Sequence, residues 1–272
     1  MEHRKITFIG AGNMARSIIA GLVSSGYPAN KITATAPSDS TREHLASCYG
    51  INVNANNIEA ANDAEVIILA VKPQMMETVA NEMQIIDFSG KLIISIAAGI
   101  CAKRLNEMFA SPLNVVRVMP NTPSLVGKGM SGLYAIPSIN NSDRDFASHL
   151  MSAVGEVCWV EQESGINAII AAAGSAPAYF FLFMEAMQNE AIKQGFDAET
   201  ARLLVQQTAL GAAELVVANP ETELSTLRQQ VTSKGGATAE AIRTFNQHNL
   251  CDTVAQAMQA AVIRAEEMEK QF

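Results

Sequence analysis

Lys5-Ile6-Thr7-Phe8-Ile9-Gly10-Ala11-Gly12-Asn13-Met14-Ala15 is the stretch that decides the fold. A β-rich run, KITFI, feeds a GxGxxA turn, and an Ala-rich helical pattern over 14–25 follows directly. Gly10 permits a tight turn. Gly12 lets backbone N–H groups approach a pyrophosphate at the helix N-terminus, and Ala15 lets helix and strand pack closely. Strand, fingerprint and helix in that order read as the opening of a dinucleotide-binding βαβ unit. The alternative reading is a glycine-rich turn chosen only for packing.

Working outward, further β-rich runs stand at 32–35, 65–71 (EVIILAV), 92–97 (LIISIA), 115–119 (VVRVM) and 132–136, with 157–160 as an additional candidate. Several are apolar throughout, as expected of strands buried on both faces of a mostly parallel sheet. Helical segments such as 14–25 and 41–48 alternate with them, which argues for a doubly wound α/β domain. The rhythm stops near Val160. Beyond Glu163 helical patterns take over, interrupted at Gly195, Asn219-Pro220 and Lys234-Gly235-Gly236. The expected organisation is a Rossmann-type dinucleotide-binding domain over 1–160 and an all-helical domain over 161–272.

The end of the second β-rich run bears on the cofactor. NAD-specific folds usually carry Asp or Glu there to bind the ribose 2′-hydroxyl. Here the sequence reads Thr33-Ala34-Thr35-Ala36-Pro37-Ser38, with Asp39 only after the turn. Thr35, Ser38 and Arg42 offer hydroxyls and a cation for a 2′-phosphate, so NADP(H) is preferred and NAD(H) is the alternative. Arg42 also has the plain reading of a solvated helix residue. Ala70-Val71-Lys72-Pro73 and Ser95-Ile96-Ala97-Ala98-Gly99 close two central strands, where they wall the ribose and nicotinamide. Lys72 has three readings, a catalytic cation, a residue that fixes the loop or one that stands near phosphate, and it is not assigned to the chemistry. The cofactor-binding candidates are thus Gly10, Ala11, Gly12, Asn13, Met14, Thr35, Ser38, Asn57, Ala70, Val71, Lys72, Pro73 and Ala97.

Composition excludes other classes. Among 272 residues, 19 Lys and Arg against 27 Asp and Glu leave a net charge of −8, which disfavours nucleic acid as a partner. Cys48, Cys101, Cys158 and Cys251 form no CxxC, and the four histidines no HExxH, so no metal site is expected. The N-terminal MEHRKITFIGAG runs into a strand pattern without an apolar secretory segment, and a reduced cytoplasm fits these features. The apolar stretch 166–184 contains Asn167, Gly174, Ser175 and Pro177 and lacks a flanking basic cluster. It reads as a buried helix, not a membrane span.

Three further segments complete a pattern: Arg117-Val118-Met119-Pro120-Asn121-Thr122-Pro123, Gly174-Ser175-Ala176-Pro177-Ala178-Tyr179 and Val231-Thr232-Ser233-Lys234-Gly235-Gly236-Ala237-Thr238. With the GxGNM start and AVKP, the chain closely resembles the pyrroline-5-carboxylate reductase family from about Ile6 to about Glu267. The resemblance implies NAD(P)H-dependent reduction of 1-pyrroline-5-carboxylate to L-proline. It also implies a C-terminal helical dimerisation domain, with self-association to a dimer or larger ring. The family loop usually reads SPGGTT or SPGGAT, and Lys234 departs from its proline.

The implied substrate is a cyclic imine bearing a carboxylate. A protonated iminium is already electrophilic, so positioning is the main demand. Ser233, Gly235, Gly236, Ala237 and Thr238 are the substrate-binding candidates. A helix starting near Ala237 would attract the carboxylate. The resemblance gives Thr238 the catalytic role, its hydroxyl on the ring nitrogen. The plain alternative is a helix–helix turn with Thr238 as a cap. A β-hydroxyacid dehydrogenase is a rival enzyme. Its GxGxxxKxxN pattern, aligned at Gly174, puts Phe180 and Phe183 where Lys and Asn belong. A non-catalytic NADP sensor would keep the fingerprint without needing residues 233–238.

Overall fold

The computed structural model describes residues 3–271. Strands β1 (Ile6–Ile9), β2 (Ile32–Thr35), β3 (Asn52–Asn54), β4 (Val66–Leu69), β5 (Leu92–Ser95), β6 (Asn114–Met119), β7 (Gly129–Ala135) and β8 (Gly155–Trp159) form one sheet. Their order is β3-β2-β1-β4-β5-β6-β7-β8. Helices α1 (Asn13–Ser24), α2 (Asp39–Tyr49), α3 (Asn57–Asn62), α4 (Pro73–Met83), α5 (Ala102–Phe109) and α6 (Asn141–Ser152) connect them. After the sheet come α7 (Gly165–Ile169), a π-helical turn at Ile170–Gly174, α8 (Ala176–Lys193), α9 (Ala198–Ala218), α10 (Leu224–Gln230), α11 (Ala237–Gln247) and α12 (Leu250–Gln271). The Rossmann-type doubly wound sheet followed by helices is therefore present.

The uniformly apolar strands are explained by two cores. Phe8, Ile68 and Ile94 pack with Ile18, Leu22 and Leu150 on one face. Ile9, Ile67, Leu69 and Ile93 pack with Met76 and Phe109 on the other. Successive residues of a strand enter opposite cores, so no strand position is left for a polar alternation. Each fully buried Ile, Leu or Phe contributes about 1.5–3 kcal/mol relative to exposure. The order reverses between β1 and β4, so the crevice at their carboxyl ends is the topological switch point.

Two departures have local causes. The strand β3 is three residues, Asn-Val-Asn, paired on one side only, with no apolar run to reveal it. β7 runs antiparallel to β6. The connection 120–128, which includes the 3₁₀ turn Thr122–Val126, is too short for the crossover that parallel pairing needs.

The chain divides into two compact units, Met1–Pro177 with Ala260–Phe272, and Ala178–Gln259. Strand content ends at Trp159, where the periodicity changes, but the compact division lies further on. Side-chain bonds explain the difference. Asn121 Nδ2 donates to the Ala173 carbonyl at 3.1 Å, and Arg117 Nη1 meets Glu163 and Glu269 at 2.9 and 3.1 Å. These hold the π turn and the last turns of α12 to the sheet. The expected burial of 166–184 is met only at its start. Ile166, Asn167 and Ala171 are buried, while no residue of α8 is, and Phe180 to Phe183 are exposed on the single chain. Helices α8 and α9 are apolar on more faces than one thin helical layer can cover. The continuous helical stretch Gly165–Lys193 is long and apolar enough to cross a membrane by length and composition alone.

The π turn has a covalent origin. Pro177 lacks the N–H that an ordinary residue would direct at the carbonyl four residues back, Ala173. Asn121 supplies that missing donor, and its Oδ1 accepts the Met130 N–H at 2.9 Å. Asn121→Asp keeps the acceptor and loses the donor. We expect it to cost about 1–3 kcal/mol in urea unfolding. Pro177→Ala in that background should restore part of the loss, a coupling that a double-mutant cycle reads directly.

Candidate active site

The sheet unit carries the dinucleotide candidates. Gly10 adopts φ +99°. A Cβ there would lie 2.8 Å from the Ala70 carbonyl oxygen, so the turn brings the ends of β1 and β4 together as only glycine allows. Gly12 is the residue before α1, and a Cβ added to it would meet nothing within 4 Å. Packing therefore does not require glycine at 12, whereas a ligand approaching the backbone does. No side chain caps α1, and its first N–H groups remain available to an anion. Ala15 is buried against the sheet, as close helix–strand packing needs. Asn13 and Met14 open the helix, and Ala11 sits half-buried in the turn. The residues present fit a pyrophosphate.

Thr35 corrects an expectation. Its hydroxyl is buried, accepts the Gly10 N–H at 3.2 Å and donates to the Phe8 carbonyl at 3.3 Å. Both its donor and one acceptor position are spent on the fingerprint turn, so it shapes the site from behind and does not face a 2′-phosphate. Arg42 is not a solvated residue. Its guanidinium folds over the end of β2 and bonds the Ala36 carbonyl and the Asp39 carboxylate. Ser38 caps α2 through the Thr41 N–H and shares a 2.7 Å hydrogen bond with Ser40. Asn57 opens α3, with Asn56 as its cap. Across the switch point, Ala70 and Val71 are half-buried, and exposed Lys72 precedes Pro73 at the first position of α4. Ala97 is buried and its N–H reaches Ser95 Oγ at 3.4 Å.

The helical unit carries the substrate candidates. The Gly236 N–H donates to the Ser233 carbonyl at 3.0 Å, closing a turn around Lys234 and Gly235. Gly235 has φ +74° at the third position, the signature of a type II turn, which favours proline at the second. The family proline thus has a geometric reason, and Lys234 occupies a position that proline would fit. A Cβ at Gly236 would lie 2.4 Å from Ser233 Oγ. Gly236 therefore lets the Ser233 side chain close over the start of α11. That start has no side-chain cap, and Thr238 is exposed in its first turn. Among the described residues neither Ser233 Oγ nor Thr238 Oγ1 is engaged in a hydrogen bond. Thr238 is therefore not a cap, and Ser233, Gly235, Gly236, Ala237 and Thr238 form one exposed turn and helix start.

Glu240, one turn into α11, pairs with Arg243, which holds its carboxyl below the ordinary range. A lowered carboxyl contributes stability that is present above its unfolded value and is lost as pH falls through the folded one. Sequence reasoning overlooked Arg16, whose Nε donates to the Ala11 carbonyl at 3.0 Å beside the fingerprint. A cation one residue after GxGxxA was its only signal. It quoted Arg117 and Asn121 as members of a motif and Glu163 as a boundary, but gave them no role, because their roles depend on contacts far apart in sequence.

Fold and fingerprint define a nicotinamide-dinucleotide-type oxidoreductase with a helical second unit. The family model described as pyrroline-5-carboxylate reductase dimerisation matches residues 163–268. The one described as NADP oxidoreductase coenzyme F420-dependent matches 5–99. The chain is 68% identical over 272 residues to pyrroline-5-carboxylate reductase of Vibrio alginolyticus, covering all of both chains. The solved structure of a pyrroline-5-carboxylate reductase from Coxiella burnetii is 40% identical with a TM-score of 0.93, covering 98% of this chain and 99% of that one. That of a Plasmodium falciparum pyrroline carboxylate reductase with NADP bound is 29% identical with a TM-score of 0.87, covering 99% of each. This chain belongs to the pyrroline-5-carboxylate reductase family.

Because Lys234 occupies the second position of a type II turn, Lys234→Pro should stabilise the protein by about 0.4–1 kcal/mol, through the entropy of the unfolded chain. Thermal unfolding measures it. A loss of stability would mean that the backbone at 234 lies outside the φ range of proline.

Proposed function

We propose that this chain reduces the cyclic imine of 1-pyrroline-5-carboxylate to L-proline with NADPH. The observation that carries the reading is the pair of unspent hydroxyls at the uncapped start of α11, on a turn that matches the family loop. When bound, the nicotinamide supplies the hydride. The chain's own groups bind and orient. The N-terminus of α11, with its N–H groups and partial positive charge, takes the substrate carboxylate. Ser233 adds a hydroxyl there. Thr238 hydrogen-bonds the ring nitrogen and so fixes which face of the C=N bond is presented. The iminium enters protonated, so hydride addition at carbon leaves a neutral ring amine without a general acid.

The exposed apolar faces of α8 and α9 support self-association, with the helices of two copies covering one another. An exposed run such as Phe180 to Phe183 is far more apolar than a solvated helix tolerates. The test of the whole reading is direct. Purified protein with NADPH and pyrroline-5-carboxylate should lose absorbance at the nicotinamide band as proline forms. A dehydrogenase would instead need a hydroxy acid, and a sensor would bind NADPH without turnover.

Two variants separate the halves. Arg42→Ala removes the cation at the end of β2. It should lower kcat/KM for NADPH more than about tenfold, the loss of a charge-assisted contact, while NADH changes little. Equal losses for both cofactors would place Arg42 away from the 2′-phosphate. Thr238→Val keeps the shape and loses the hydroxyl. It should lower kcat/KM for the imine more than about tenfold with NADPH affinity nearly unchanged. An unchanged rate would remove Thr238 from the chemistry.

A further inference from the structure

We infer that Arg117 is a positioning residue that sets the loop following β5 through Glu163 and the last turn of α12. The inference rests on the reading of Ala97 as part of the nicotinamide wall. The side chain of Arg117 is 2% exposed, inside the sheet's core. A buried cation with its partners rarely stabilises more than apolar residues of the same volume would, so stability alone does not account for it. Its geometry points to the loop instead.

Arg117 stands directly beside Ser95, the last residue of β5, in the parallel register of β5 and β6. Ser95 Oγ accepts the Ala97 N–H at 3.4 Å and so fixes the start of the loop. Glu163 Oε1 accepts from Arg117 Nη1 at 2.9 Å and from the Ala102 N–H at 2.7 Å, which fixes its end. Glu269 Oε1 meets the same Nη1 at 3.1 Å, and Glu269 Oε2 accepts Asn167 Nδ2 at 3.1 Å. The neighbouring Met268 lies against Gly99, where an added Cβ would come within 3.0 Å of its own Cβ. The middle of the loop is thereby held as well. Both carboxylates depend on one nitrogen, because Arg117 Nη2 has no hydrogen-bond partner among the described residues. Tyr134 is the cross-strand neighbour on β7, and burial together with the Glu163 charge pushes its hydroxyl upward in pKa, so it stays a neutral group there.

The loop thus hangs from three points, two of which lead to a single guanidinium. Weakening that cation's hold frees the middle and end of the loop, from Gly99 to Ala102, and leaves Ala97 on the Ser95 contact alone while the sheet remains. Misplacement of about 1 Å costs up to about 100-fold in rate when a reacting group is no longer aligned.

The test uses the full-length enzyme. Glu163→Gln keeps an acceptor for the Ala102 N–H and removes the charge that grips Arg117. NADPH Kd by calorimetry should rise about fivefold or more and kcat should fall about tenfold or more, with KM for pyrroline-5-carboxylate changing less than about twofold. A triple variant, Arg117→Met with Glu163→Gln and Glu269→Gln, removes the buried charge altogether and guards against a folding artefact. It should recover the melting temperature yet keep weak NADPH binding. Recovery of NADPH affinity along with stability, or a Glu163→Gln enzyme with unchanged Kd, would overturn the positioning role. A wild-type protein that binds NADPH but does not turn over pyrroline-5-carboxylate would instead defeat the functional reading, and the Kd comparison would still decide this one.

Discussion

The turn at Gly10 is the constraint on which the rest depends. At φ +99° the chain leaves β1 so sharply that any side chain would enter the Ala70 carbonyl. That contact brings the carboxyl ends of β1 and β4 together at the point where strand order reverses. The crevice for a dinucleotide exists because these two ends meet there while the connections from them depart to opposite faces of the sheet. Thr35 then locks the turn from β2, donating to one backbone group and accepting from another. Three strands are thus tied at a single glycine before any ligand is considered.

The sheet was legible because its signals are local. Runs such as VIIL at Val66–Leu69 and LIIS at Leu92–Ser95 are apolar on every residue, and only a strand with a core on each side uses such a run. The start of α11 was legible for the same reason, since Gly235-Gly236 marks a turn whatever surrounds it. What was not legible depends on distant partners. Thr35 reads as an available hydroxyl until β1 is placed beside it. Asn121 reads as part of a motif until Pro177 leaves the Ala173 carbonyl without its donor. The division into compact units also escaped periodicity, because a few polar contacts, not strand content, keep 160–177 and the chain end with the sheet.

The apolar stretch around α8 illustrates a different limit. Sequence hydropathy reports that a surface must be covered but not by what. Within one chain the answer for Ile166 is the sheet, whereas Phe180 to Leu182 stay largely exposed and Phe183 is covered only in part, by the Phe245 ring. The dimerisation family model spans these residues. In the proposed reading a second copy accounts for both the composition and the exposure.

Comparing hydroxyls across the molecule separates scaffold from site more sharply than residue type does. Ser17, Thr7 and Thr35 each donate to a backbone carbonyl, so their polarity is consumed in holding the fold. Thr244 and Thr253 do the same within their helices. Ser233 and Thr238 stand apart, exposed, beside helix N–H groups that no side chain caps. Retaining free polarity at a helix start gives up the stabilisation that a capping side chain contributes, on the order of 1 kcal/mol. A fold that leaves this helix uncapped while capping α2, α3, α6 and α9 with side chains keeps its N–H groups free for a ligand. Among the described residues the starts of α1, behind Gly12, and of α4, behind Lys72, also lack a side-chain cap, at the carboxyl ends of β1 and β4. The starts of α1 and α11 are the places where the proposed reaction needs an anion held: the cofactor's pyrophosphate and the substrate's carboxylate.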